Sequence, residues 1–329
     1  MLQTSIALAV LAVLLAWPVP ILLARATWPS RSPAVALIVW QAVALAGGLS
    51  MIGALLVYGL QPFGDNLLAA SGSFASFLQQ GTLPSGADFV HMFALSGAIL
   101  LTIHLLLNLM LALVRDERSR RRHRDLVRML SSPLPERPDT LLLAHDAPVA
   151  YCLPGATRSI TVLSAGLMSI LDDQELRAVV AHEEAHATQR HYLVLLAFRA
   201  WRRSLPWFPI ATRAQDAVAS LVEMLADDKA RLVVADATLA RAIALVAIGG
   251  DGWRDSVPLP AADRSPTSDV FLADEAEQSV QMASPSSALR IARLREGHRP
   301  LSFAVRAVAV ALAIALLAVP TALLLLPAI

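Results

Sequence analysis

The chain has one cysteine, Cys152, one lysine, Lys229, and only 16% charged residues among its 329. A single cysteine excludes an intramolecular disulfide and a metal site built from a cysteine cluster. Soluble domains carry roughly 25% charge, so this deficit excludes an ordinary soluble protein of this length. Aromatic residues are scarce too, at 5%, and none is interleaved with the arginine tracts. That excludes the combination of basic groove and stacking rings used to bind nucleic acid directly. What takes the place of charge is apolar surface: 56% of residues are hydrophobic and the mean hydropathy is +0.57.

Four apolar stretches, 4–23, 34–60, 89–114 and 303–326, reach the roughly 20 residues needed to cross a bilayer as helix. No basic residue precedes the first, so it reads as a retained anchor and not as a signal peptide. The intervening stretch 61–88 lacks Lys and Arg altogether, whereas "RDERSRRRHRDLVR" follows the third span and "RIARLREGHR" precedes the fourth. Arginine-rich flanks stay on the cytoplasmic side. The expected organisation is therefore three spans within 1–114 with 61–88 outside, a cytoplasmic domain over 115–300, and a fourth span within 301–329. Both termini lie outside the cell membrane. The arginines are expected to meet lipid headgroups. His104 and Asn108, one turn apart in the third span, suit a hydrogen bond between helices.

The cytoplasmic block opens with short β-prone runs broken by Pro and Gly, giving expected strands at 140–144, 150–153 and 159–163. A helix then starts at Asp172 or Asp173 and runs through "VVAHEEAHATQRHYLVLLAFRAW"; two more helices are expected at 213–235 and 236–248. Residues 249–287, rich in Gly, Pro, Ser and Asp, read as a mobile loop. The fold class is a mainly α-helical multi-pass membrane protein carrying an α+β domain.

Within the first of these helices, His182 and His186 stand four residues apart and share one face. Two imidazoles so placed can reach one tetrahedral Zn²⁺. Glu183, rotated by about 100°, is placed to take a proton from a metal-bound water. The longer form with a third histidine is absent, and His191, nine residues after His182, falls on the opposite helix face. A second helix must supply the third ligand. In "LVEMLADDKA", Glu223 and Asp227 share a face of an otherwise apolar helix. Glu223 suits a ligand, and Asp227 suits the carboxylate behind a ligating histidine. Competing readings are a weaker substitute, Asp216, two turns earlier, and surface ion pairs of these acids to Arg190 or Arg231.

The motifs "LDDQELRAVVAHEEAH", "EMLADDKA", "APVAYCLPG…ITVLSAGL" and "SPSSALRIARL" together resemble the M48/M56 membrane metallopeptidases. The chain is most similar to the M56 branch, the BlaR/MecR type, in a short actinobacterial form whose sequence ends without a penicillin-binding sensor domain. The resemblance implies a zincin-like cytoplasmic domain with Zn²⁺ on His182, His186 and Glu223, Glu183 as general base, and Asp227 behind a ligand. It further implies a substrate strand paired to the strand around Ala150, with Arg290 bracing Asp227 or the substrate carbonyl and Tyr151 or Arg290 contacting the substrate or transition state. Ser284 stands where many M48 members have the histidine of a His-Pro pair. The expected activity is hydrolysis of a cytoplasmic or membrane-associated protein, such as a transcriptional repressor. Two other readings remain. A site-2-type intramembrane protease would need the motif inside a span and an Leu-Asp-Gly ligand motif, which is absent. A non-catalytic membrane sensor or scaffold with a structural zinc would have no use for Glu183.

Overall fold

The structure is a computed structural model, which describes residues 1–134, 137–153, 160–205, 209–256, 285–297 and 300–325. The helices are α1 (Leu2–Ala16), α2 (Pro18–Arg25), α3 (Trp28–Arg31), α4 (Pro33–Leu60), α5 (Leu67–Gln80), α6 (Phe89–Leu130), α7 (Ala165–Ile170), α8 (Asp173–Thr188), α9 (His191–Ser204), α10 (Pro209–Ala230), α11 (Asp236–Ser256), α12 (Pro285–Arg295) and α13 (Phe303–Leu325). The chain divides into two compact units. One comprises Met1–Ala112, Ala197–Val218 and Pro300–Ile329, the other Leu113–Leu196 and Ala219–Arg299.

The first unit holds the apolar helices, α6 as far as Ala112. Four segments, Leu2–Arg25, Pro33–Phe63, Phe89–Leu130 and Phe303–Leu325, are long and apolar enough to cross a membrane by length and composition. Small residues let these helices approach closely, as in membrane bundles. A side chain at Gly59 would come within 2.7 Å of the Leu95 backbone nitrogen. Leu8 of α1, Ala54 and Val57 of α4 and Leu324 of α13 pack together, and Ser5 Oγ donates to the Ala54 carbonyl at 3.0 Å. Outward faces remain strongly apolar: Leu100 and Leu106 on α6 and Val308 and Ile314 on α13 are all exposed. His104 Nε2 lies 3.2 Å from the Ser204 carbonyl on α9, the kind of interhelical hydrogen bond the sequence suggests. The stretch between the second and third apolar segments is more ordered than a plain loop. It contains α5, capped by Asn66, whose Oδ1 accepts from the Ala69 N–H at 2.8 Å, and closed by left-handed Gly81.

The second unit is α+β. Its sheet comprises β1 (Ser131–Leu134), β2 (Arg137–Leu143), β3 (Ala150–Leu153) and β4 (Ile160–Ser164), in the order β1-β2-β4-β3. β2 and β4 are parallel, and the two outer pairings are antiparallel. β1, of sequence Ser-Ser-Pro-Leu, adds to the expected strands. Gly166, at the β4–α7 junction, is required by close approach, because any Cβ there would overlap the Asp146 carbonyl. Asp172 caps α8 through a capping box: its Oδ1 accepts from the N–H groups of Gln174 and Glu175, and Glu175 Oε2 accepts from Asp172 N–H. Ala178 of α8 packs against Ala230, Leu239, Ala242 and Leu294, while Leu176 packs against Leu163, Leu167 and Val246.

Several helix limits differ from the sequence expectation: α10 spans Pro209–Ala230 against an expected 213–235, and α12 begins at Pro285, within the expected loop 249–287. α11 continues to Ser256, so part of the expected loop 249–287 is helical; 257–284, including Ser284, lies outside the described residues. The expected single helix through 172–201 is broken in two at Gln189–Arg190. Arg190 has φ 51°, which places it in the left-handed region. Such a conformation costs a non-glycine residue about 1 kcal/mol, so tertiary contacts around the turn must hold it.

Candidate metal centre

Three elements of the second unit build one buried cluster. α8 supplies His182 and His186 from one face, α10 supplies Glu223 and Asp227 from one face, and α12 supplies Arg290. His182 Nε2 lies 3.1 Å from His186 Nε2 and 3.3 Å from Glu223 Oε2, and His186 Nε2 lies 3.4 Å from Glu223 Oε1. These three side chains form the group able to hold a metal ion among the described residues. The edges of the triangle decide the fit. Ligand atoms about 2.0–2.1 Å from a tetrahedral Zn²⁺ stand about 3.3 Å from one another; the separations here are close to that, with one Glu223 oxygen facing each histidine. Three protein donors would leave a tetrahedral ion one position open for a reacting molecule.

The surroundings orient these donors. His182 Nδ1 lies 3.0 Å from Asp227 Oδ1, so its Nε2 is the nitrogen turned to the triangle. Arg290, 2% exposed, donates from Nε to Asp227 Oδ2 at 2.8 Å and from Nη2 to Asp227 Oδ1 at 2.7 Å. Its Nη1 lies 3.0 Å from Glu223 Oε2. The guanidinium therefore braces both acids. Asp228, one residue on, faces elsewhere and pairs with Arg293 at 2.8 Å. Asp216 is exposed.

The electrostatics favour a cation at the triangle. Burial opposes charge on His182, but the hydrogen bonds it donates to the Asp227 and Glu223 carboxylates outweigh it and raise its pKa to about 9. Burial would raise the carboxyls of Glu223 and Asp227, but the Arg290 charge more than offsets it and holds both well below the usual carboxylate range. Burial lowers His186 to about 3 and His191 to about 4, leaving both rings neutral. Neutral imidazole and ionised carboxylate are the forms that ligate metal, so His186 and Glu223 are ready to bind, while His182 must give up a proton to do so.

Glu183 lines a cavity of about 30 Å³ beside this cluster, together with His182, Arg290 and Ala150 and the apolar side chains of Leu167, Val179, Ile243 and Val246. Burial raises its pKa to about 7, the value suited to a group that both takes and returns a proton near neutrality. Ala150 lies on β3, which occupies one end of the strand order. Tyr151, the next residue, points to the other sheet face, where its ring sits 5.2 Å from that of His123 and packs with the Val127, Leu153 and Val162 cluster. It is thus turned away from the cavity, because strand alternation opposes neighbouring side chains. Cys152 Sγ contacts Thr161 Oγ1 at 3.3 Å, and burial pushes its thiol up to about 11, so it is a packed thiol with little nucleophilic character.

The residue that sequence reasoning places wrongly is His191. The turn at Arg190 brings it back so that its Nδ1 lies 3.1 Å from His186 Nδ1. Its position in a continuous helix would have been on the far side.

A family model described as Peptidase family M48 matches residues 113–297, more than half of the chain. No curated protein and no solved structure matches it. The matched region contains both helices of the triangle and the arginine that braces them, and the chain belongs to Peptidase family M48.

Proposed function

We propose that this protein is an integral-membrane zinc endopeptidase that hydrolyses peptide bonds of a cytoplasmic or membrane-associated protein. The observation carrying the reading is the mutual approach of the His182, His186 and Glu223 side chains to 3.1–3.4 Å, with Glu183 beside them in a cavity. His182, His186 and Glu223 would hold a Zn²⁺, which would supply Lewis acidity toward a water and a scissile carbonyl. Glu183 accepts a proton from the attacking water and returns it to the leaving amine. Asp227 fixes the ring of His182 through Nδ1, and Arg290 holds Asp227 and Glu223 in register. β3 has one edge without a strand partner among the described residues, and Ala150 on it lines the cavity with Glu183. An extended substrate added to that edge would run past the general base. This mode of binding reads shape and backbone, which suits a protein substrate such as a repressor. The quoted motifs favour the M56 branch of these enzymes.

The four apolar helices form a multi-pass anchor, and the arginine tracts put the peptidase domain on the cytoplasmic face with both termini outside. Sealed vesicles of known sidedness test chemistry and orientation together. An unstructured protein such as casein, added outside inside-out vesicles, is expected to be cut, and a chelator is expected to stop the cutting until Zn²⁺ is restored. Right-side-out vesicles are expected to leave it intact. Cleavage confined to right-side-out vesicles would reverse the orientation, and cleavage that survives chelation would refute the metal mechanism.

A further inference from the structure

A buried histidine next to the triangle has no part in the mechanism above. His191 is 3% exposed and is the first residue of α9. Its Nδ1 lies 3.1 Å from His186 Nδ1, and its Nε2 lies 2.8 Å from Gln189 Oε1. The rings of His186 and His191 meet edge to face, with centroids 5.0 Å apart and planes at 85°. Between two imidazole Nδ1 atoms at this distance only one hydrogen can sit. His186 Nε2 faces His182 Nε2 and Glu223 Oε1, where a ligand needs its lone pair, so the hydrogen of His186 sits on Nδ1. His191 must then accept at Nδ1 and donate from Nε2–H to Gln189. All three contacts fit one tautomer assignment.

The backbone supports a dedicated arrangement. Arg190 is the one non-glycine residue with positive φ among the described residues, and the left-handed turn it makes is what folds His191 back under His186. Strained backbone of this kind persists where surrounding contacts require it.

We propose that His191 is a positioning residue for the metal centre: anchored by Gln189, it accepts the Nδ1–H of His186 and so fixes the tautomer and ring orientation in which His186 Nε2 ligates. His186 thereby has an outer partner, as His182 has in Asp227. This rests on the proposed metal site. Outer partners of ligating histidines typically contribute 10–100-fold to metal affinity.

The test is Zn²⁺ affinity of the full-length protein in detergent, measured by competition with a chromophoric chelator. Thermal unfolding of the metal-free protein serves as a check on folding. His191→Phe keeps the ring but cannot accept, and is expected to weaken Zn²⁺ binding about 10–100-fold. His191→Asn restores an acceptor near the Nδ1 position and is expected to recover most of that loss. Gln189→Leu, which frees the far side of the ring, is expected to weaken binding less than His191→Phe does. If the Phe variant fails to fold, the Asn and Leu variants still separate the outcomes, since a Gln189→Leu protein with wild-type affinity would then sink the relay. Wild-type affinity in a folded His191→Phe protein would overturn the proposal, as would an Asn variant as weak as Phe. A wild type that binds no Zn²⁺ would overturn the metal centre itself, and the inference with it.

Discussion

Replacing Glu183 by glutamine is expected to lower kcat for peptide hydrolysis by about 10²–10⁴-fold while leaving bound zinc and KM nearly unchanged. Glutamine fills the same space in the cavity shared with His182, Ala150 and Arg290, so packing is preserved. It cannot take a proton from water, and it is not among the three side chains that converge on the triangle. The carboxyl of Glu183, raised by burial to about 7, is poised for transfer in both directions, and that property disappears in the amide. Steady-state kinetics with a fluorogenic peptide, together with metal analysis of the same preparations, gives the answer. A kcat within a few-fold of wild type would remove Glu183 from the chemistry.

Replacing Asp227 by alanine is expected to destabilise the second unit by about 3–5 kcal/mol, the usual cost of stripping one partner from a buried ion pair. Asp227 and Arg290 are 1% and 2% exposed and joined by two hydrogen bonds. Without the carboxylate, the guanidinium keeps Glu223, 3.0 Å away, but loses its bidentate partner, and His182 Nδ1 loses the acceptor facing it. Asp227→Leu combined with Arg290→Met removes both charges and is expected to cost less than the sum of the two single replacements. Denaturant midpoints of the detergent-solubilised variants measure this. A loss below about 1 kcal/mol for Asp227→Ala would place the pair among weak surface bridges.

Much of this site is legible in the chain because it lies on two helices whose periodicity is simple. Four-residue spacing puts His182 with His186 and Glu223 with Asp227, and the structure brings the two faces to within 3.3–3.4 Å at Glu223. The α8 cap is equally local, since Asp172 and Glu175 satisfy each other. The apolar helices announce themselves by length and composition alone. What escapes is set by tertiary contact. Arg290 stands 63 residues from Asp227, so nothing local in the chain pairs them, and only the family resemblance points to the brace that the structure shows. The break after Thr188 leaves no Gly or Pro signal, because an arginine takes the left-handed turn, so His191 is assigned to the wrong side. Tyr151 looks available on an edge strand, yet alternation turns it toward His123. β1 carries serine and proline, and its pairing with β2 comes from the fold and not from propensity.

The central claim is that His182, His186 and Glu223 hold a metal together. Zinc content per chain, determined by elemental analysis on detergent-purified wild type and Glu223→Ala, tests it most directly. The account predicts about one zinc per wild-type chain and a sharp fall in the variant, because two ligands on one helix without the third hold the ion far more weakly. A wild type without zinc, or a Glu223→Ala protein that keeps its full complement, would contradict it.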